Sequence, residues 1–272
     1  MTPPPSAPLA GRLRWAAGAA RLTLREPADG LDRALVRALR FVRAAPARVP
    51  YEPDPDWESR LHRSLGADWP CPLERPFRRV WLEIETLAAF DGLQLGRGAY
   101  GGWDDADPAL ARAIWCAATH LRPRVVLETG VARGISSRVI LEALDRSGEG
   151  GLWSIDIPAL DATLSSQTGA AVPDRLRDRW TYVSGTSRRR LPGLLAELGE
   201  IDLFVHDSSH TERNLRFELT RAWEHMRRGV LIADDIDRNR AFGDFAREHP
   251  RAEAIVAPAA DGRAMFGIVV KR

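Results

Sequence analysis

The sequence predicts an α/β domain: a doubly wound, seven-stranded, mostly parallel sheet with one antiparallel terminal strand, preceded by a helical extension. Three observations carry this. Seven short β-rich runs, "RVVLETG", "GLWSID", "WTYVSG", "IDLFVHD", "GVLIADD", "AEAIVA" and "MFGIVVK", alternate for the most part with segments of helix length. The runs are continuously apolar rather than alternating, as in parallel strands covered on both faces. The last two are joined only by "PAADGRA", whose Asp261-Gly262 is a hairpin signal, so the final strand should run antiparallel.

The segments ahead of the strands are helical. Prolines cluster before residue 105, and the stretches between them show helical periodicity. From Asp29, an N-cap residue, Leu31, Leu35, Leu39 and Val42 form an apolar stripe with arginines on its other face. Such a basic amphipathic helix packs on its own domain or on a neighbouring subunit, with a membrane surface as the alternative, so the N-terminal helices are candidates for a homo-oligomer contact. A second helix, from about Pro76 to Phe90, should bury Val80, Trp81, Ile84 and Leu87. The glycine-rich "GRGAYGGWDD" is a loop whose Tyr100 and Trp103 serve either as a lid or as an anchor. Asp107-Pro108 then starts a helix presenting Leu110, Ile114, Trp115 and Leu121. Residues 1–104 are accordingly read as a helical cap that serves substrate or subunit contacts, and residues 105–272 as the ligand-binding domain.

Composition narrows the partners. A formal net charge of +2 over 272 residues is too small to argue for nucleic acid, and Lys271 is the only lysine. No apolar run approaches the roughly 20 residues that span a bilayer, and arginines interrupt the N-terminus where a signal peptide needs an apolar stretch. The two cysteines, Cys71 and Cys116, suggest neither a disulfide framework nor a metal-ligand spacing, so the cytoplasm is the expected compartment.

In doubly wound sheets, ligands bind outside the carboxyl ends of the strands. The first strand ends in "LETGVARGISS", where Glu128 precedes Gly130 and Gly134 at the opening of a helix; glycine lets the backbone approach a ligand, and the helix N-terminus offers unpaired N–H groups. The second strand ends in Asp156, suited to ribose hydroxyls. This pairing points to a nucleotide-type cofactor. A dinucleotide fingerprint requires G-x-G-x-x-G, but the loop reads G-V-A-R-G with Ala132 between the glycines, which argues against an NAD-dependent oxidoreductase.

The pattern E-x-G-x-x-x-G, then Asp156, with a reversed last strand, resembles the class I S-adenosylmethionine-dependent methyltransferases and their Rossmann-like fold. The resemblance covers roughly Asp105 to Arg272. It implies that Glu128, Thr129, Gly130, Gly134, Ser136 and Asp156 bind the cofactor, with Asp207 beside them; Ala132 departs from the commoner glycine.

Two further strands deliver carboxylates to the same edge: Asp207 with His210 three residues on, and the pair Asp234-Asp235. Clustered anions repel unless protonated or joined by a cation, and hard oxygen ligands suit Mg²⁺, Mn²⁺ or Ca²⁺. "HDSSH" followed by the Asp-Asp pair is similar to metal-dependent O-methyltransferases acting on sugar hydroxyls of macrolide and aminocoumarin antibiotics. That resemblance implies a small-molecule hydroxyl acceptor, a metal held by Asp207, Asp234 and Asp235, and His210 as general base, with Asp207 beside the reacting atoms. The other reading of His210 is a cap for the helix from Thr211, and of Asp235 and Asp237 loop or capping residues. His206 should face the opposite side of its strand and be packed. Arg188-Arg189-Arg190 is read as a solvated loop rather than a phosphate clamp. A catalytically silent cofactor-binding subunit is the remaining alternative, against which the full Asp207/His210/Asp234/Asp235 set argues.

Overall fold

A computed structural model describes residues 27, 48–96, 98–100, 104–157, 159 and 161–272. The helix expected from Asp29 to Val42, and Trp103, lie outside the described residues.

The seven strands are β1 (Val125–Thr129), β2 (Gly151–Asp156), β3 (Trp180–Ser184), β4 (Leu203–His206), β5 (Gly229–Ala233), β6 (Glu253–Pro258) and β7 (Met265–Lys271). They form one sheet in the order β3-β2-β1-β4-β5-β7-β6. All neighbours are parallel except where β7 runs antiparallel to both β5 and β6, as the short Asp261-Gly262 connection predicts. Strand order reverses between β1 and β4, so their carboxyl ends diverge and open a crevice.

Both faces are covered, and the alternation along each strand shows how. Val126, Leu203, Val205, Val230 and Ile232 point into one core with helices α1 (Trp57–Leu65), α2 (Glu74–Phe90), α3 (Pro108–Leu121) and α4 (Ile135–Ser147). Leu127, Ile155, Phe204, Leu231 and Ala233 point into the other with α5 (Ser187–Leu198), α6 (Glu212–Glu224) and α7 (Ala241–Glu248). Such strands have no solvent face, which is why they read as unbroken apolar runs.

Helix α3 begins as expected: Asp107 caps it by accepting the Ala109 N–H at 2.9 Å, with Pro108 in its first turn. Every residue from Leu110 to Thr119 is buried, so α3 lies inside the molecule. The buried stripe of α2 differs from the expected one. It runs through Phe77, Val80, Ile84 and Ala88, while Leu87 is exposed and Trp81 only half-buried. The helix turns a narrow edge to α3 and α4, and a spacing of three, four and four residues follows that edge. Leu61, Phe77, Val80 and Ile84 belong to the same core as Trp115 and Val126, so α1 and α2 share a core with the sheet. Among the described residues no helix is long and apolar enough to cross a membrane.

Candidate active site

The site begins where β1 stops. Gly130 holds φ +91°, and a Cβ there would lie 1.9 Å from the backbone oxygen of Asp207 at the end of β4. Only glycine allows the two strand ends this close. The turn continues through Ala132, which holds a left-handed φ of +47°, to Gly134 at φ +81°, directly before α4. The commoner glycine at position 132 thus corresponds to a real conformational demand, which Ala132 meets at a cost of about 1 kcal/mol. Asp156 Oδ2, arriving from β2, accepts the N–H groups of Val131 at 3.0 Å and Ala132 at 3.1 Å and braces the turn.

Glu128 is fully buried beneath this turn. Its Oε2 accepts Ser137 Oγ at 2.6 Å and Ser154 Oγ at 2.7 Å, and Ser136 also bonds to it. Burial raises its pKa against those bonds, and Oε1 has no hydrogen-bond partner. Thr129 faces the other side of the sheet: its hydroxyl donates to Glu218 Oε2 and its carbonyl accepts the Asp207 N–H. Alternation along β1 turns its side chain away from the crevice, so of the residues expected to meet cofactor there, Thr129 is the one whose polar groups are engaged elsewhere.

Beyond Gly130, Asp207, His210 and Asp234 each bring one ligand atom to within 4.8 Å of the others'. His210 Nε2 lies 3.9 Å from Asp207 Oδ1 and 3.6 Å from Asp235 Oδ2. The Asp207 side chain keeps 32% of its surface open at the floor of the crevice. Desolvation first, then Asp234, Glu128 and Asp235, push its carboxyl well above the ordinary range; desolvation and Asp235 do the same to Asp234. Asp235 holds φ +51° and pairs with Arg238 Nε at 2.7 Å, so it backs the cluster with its charge partly answered. Thr211, not His210, caps α6, accepting the Asn214 N–H at 3.3 Å. Burial, reinforced by His206 and Arg238, lowers the His210 pKa well below 6.5, so the imidazole is neutral near pH 7 and able to accept a proton.

Behind the cluster lies a buried polar network absent from the expectations. His206 packs on the face opposite Asp207, with Nδ1 2.5 Å from Glu218 Oε2. Glu218 also accepts from Ser208 at 2.9 Å and from Asn214 Nδ2 at 2.7 Å, and Asn239 Nδ2 donates to the His210 carbonyl at 3.1 Å. The available signal was a glutamate inside the apolar stripe of α6, between Leu215 and Leu219. Burial pushes Glu218 up, but His206 and the hydrogen bonds from His206, Ser187 and Thr129 outweigh it and hold Glu218 at about 2. A carboxyl depressed below its ordinary 4.5 stabilises the fold fully above that value and loses the contribution as pH falls toward 2. We predict that Glu218→Gln removes about 3 kcal/mol at pH 7 and flattens the stability loss between pH 4.5 and 2. Urea melts across that window test this, and parallel wild-type and variant profiles would refute it.

Two other sequence features find their places. Tyr100 is an anchor: its hydroxyl donates to the Leu164 carbonyl at 2.8 Å and Arg133 stacks over its ring. The arginine run is not a loop but the first turn of α5, where Arg188 covers the Phe217 ring and Arg190 Nε donates to the Ser184 carbonyl.

Residues 127–236, from β1 to just past β5, match the family model described as a methyltransferase domain. The match spans 110 of the 272 residues, and the seven-stranded sheet around it has the Rossmann-like methyltransferase fold. Among solved structures the chain is similar to the O-methyltransferase from Bacillus cereus in complex with S-adenosylhomocysteine, at 20% identity and TM-score 0.55, covering 71% of this chain and 91% of that one. It is also similar to the O-methyltransferase TomG from Streptomyces achromogenes, involved in tomaymycin synthesis and solved with S-adenosylmethionine, at 18% identity and TM-score 0.51 over 71% and 90% of the two chains. The O-methyltransferase NovP matches at 16% identity and TM-score 0.51, over 71% and 98%. No curated protein sequence matches significantly.

Proposed function

We propose that the protein is an S-adenosylmethionine-dependent O-methyltransferase that acts on a hydroxyl of a small molecule, with a divalent cation as helper. The observation that carries this is the convergence of Asp207, His210 and Asp234 beside the Gly130 turn. The cofactor suits the crevice on two counts: the missing Cβ at Gly130 leaves backbone room, and the buried, unpartnered Glu128 Oε1 awaits a donor such as the cofactor's ammonium group. Glu128, Gly130, Gly134 and Asp156 would hold it, with Ser136 steadying Glu128.

The acidic cluster suits a hard cation, because two neighbouring carboxylates whose pKa values are raised by burial and like-charge repulsion are relieved by positive charge. Asp207 and Asp234 would hold Mg²⁺ or Mn²⁺, with Asp235 completing the set once released from Arg238. Such an ion lowers the pKa of an acceptor hydroxyl and orients its oxygen. His210, neutral at pH 7 and aimed into the cluster through Nε2, takes the hydroxyl proton as the oxygen attacks the methyl carbon. A sugar carried by a natural product, with two adjacent oxygens, is the acceptor class favoured by the resemblance of the Asp207/His210/Asp234/Asp235 set. The free thiols at Cys71 and Cys116 suit a cytoplasmic setting.

The test is methyl transfer to a panel of vicinal diols, followed by S-adenosylhomocysteine release. Chelator should stop turnover and Mg²⁺ or Mn²⁺ restore it; Asp234→Asn should raise the ion concentration required by roughly 10–100-fold with cofactor affinity nearly unchanged. Full turnover in excess EDTA would remove the cation from the mechanism. Failure to bind S-adenosylhomocysteine in calorimetry would remove the methyltransferase reading itself.

A further inference from the structure

At the opposite side of the core from the crevice, four soft or borderline ligands meet. His62 comes from α1, Cys71 from the segment between α1 and α2, and Cys116 and His120 from α3, four residues apart and so on one face of that helix. Cys71 Sγ, Cys116 Sγ and a ring nitrogen of His62 all lie within 4.8 Å of one another, and His120 Nε2 is 3.5 Å from Cys71 Sγ. The two imidazoles meet edge to face at 4.8 Å. The two cysteines show no metal-ligand spacing in the sequence, so the chain itself gives no warning of this cluster.

The state of His62 points to a ligand. Its Nδ1 sits 2.7 Å from the Glu58 carbonyl, an acceptor only, so Nδ1 carries the proton and Nε2 a lone pair. His62 is fully buried, yet Nε2 has no hydrogen-bond partner. A buried acceptor left bare costs about 1–3 kcal/mol, whereas a metal would occupy that lone pair, and the Glu58 carbonyl is the outer partner that orients a ligating histidine. A disulfide between the cysteines would leave Nε2 as bare as before.

We propose that His62, Cys71, Cys116 and His120 form a structural zinc site. Two thiolates and two imidazoles are a tetrahedral zinc set, in which neighbouring ligand atoms stand about 3.5–3.8 Å apart. The 3.5 Å separation of Cys71 and His120 already meets that spacing, and His62, Cys71 and Cys116 need a contraction of about 1 Å, with the His120 ring turning in from its contact with Cys71 to complete the set. Binding displaces the protons that the two thiols hold, and two thiolates then balance the ion's charge. Arg112 nearby is already paired with Glu58 at 2.7 Å. His120 is only half-buried and borders a surface groove of about 350 Å³, which gives an ion its route in. The bound ion would fasten α1 and the segment before α2 to α3, the innermost helix of the catalytic domain.

The experiment uses the full chain, purified with reductant and without an affinity tag. Elemental analysis should find one zinc per chain, and cobalt reconstitution should give thiolate-to-cobalt charge transfer in the near ultraviolet with strong tetrahedral visible bands. Cys116→Ser should be purified without zinc, show only about half of the charge-transfer intensity when saturated with excess cobalt, and melt roughly 10 °C lower. His120→Gln should weaken retention roughly 10–100-fold. Asp234→Asn should keep both zinc and cobalt spectrum, which separates this site from the crevice. If Cys116→Ser does not fold, the cobalt spectrum of the unmodified chain still decides. Absence of zinc together with absence of a thiolate-to-cobalt band would overturn the proposal, as would a Cys71–Cys116 disulfide in the freshly purified reduced protein.

Discussion

His210→Ala is expected to lower turnover by roughly 10²–10⁴-fold while leaving S-adenosylhomocysteine affinity close to that of the unmodified protein. His210 touches the acidic cluster and not the glycine turn, so its loss should leave the cofactor's seat intact. The pH dependence gives a second, sharper readout. Burial lowers the His210 pKa well below 6.5, so the base is unprotonated across the neutral range and fails only as pH falls through that depressed value. The acid limb of the turnover profile should therefore lie below 6.5 and disappear in the alanine variant. Near-normal turnover in His210→Ala would transfer the proton-accepting role to Asp207. A large loss accompanied by an equally large rise in required metal, with the acid limb unmoved, would make His210 a ligand instead.

Gly130→Ala should be the most damaging glycine-to-alanine substitution among the described residues. The new Cβ would stand 1.9 Å from the Asp207 oxygen and 2.5 Å from its carbonyl carbon, both backbone atoms, so no side chain can swing aside. Relief requires separating the ends of β1 and β4, which are paired in the sheet up to Thr129 and His206. With the left-handed conformation added, the cost should be about 3–5 kcal/mol, or a fall in melting temperature of roughly 10 °C. Gly262→Ala supplies the control, since it has φ +67° but open space and should cost only about 1 kcal/mol. Cofactor binding should vanish in Gly130→Ala even at temperatures where it stays folded. A melting temperature within about 1 °C of the unmodified chain would show that the strand ends are not in contact.

The strands were legible in the sequence because burial on two faces leaves a continuous apolar run, and their order of carboxylates placed Asp207 and Asp234 at one edge. Gly130 and Gly134 were legible because a close approach excludes every side chain. Less visible were effects that depend on which helix meets which strand. Glu218 reaches His206 and Thr129 from α6, and a glutamate within an apolar stripe looks like noise until those partners are in place. Asp235 reads as an equal of Asp234, but a left-handed backbone turns it toward Arg238. The meeting of Cys71 with Cys116 and His120 joins segments some 45 residues apart, with no short motif to announce it.

The insertion of β7 between β5 and β6 makes the outer edge of the sheet hang on a single ladder. Among the described residues strand β6 pairs within the sheet only through β7, so the two join or leave the sheet as one hairpin. A substitution that breaks the ladder between β5 and β7 would therefore detach two strands rather than one and leave β5 as a bare edge, open to pairing with another chain.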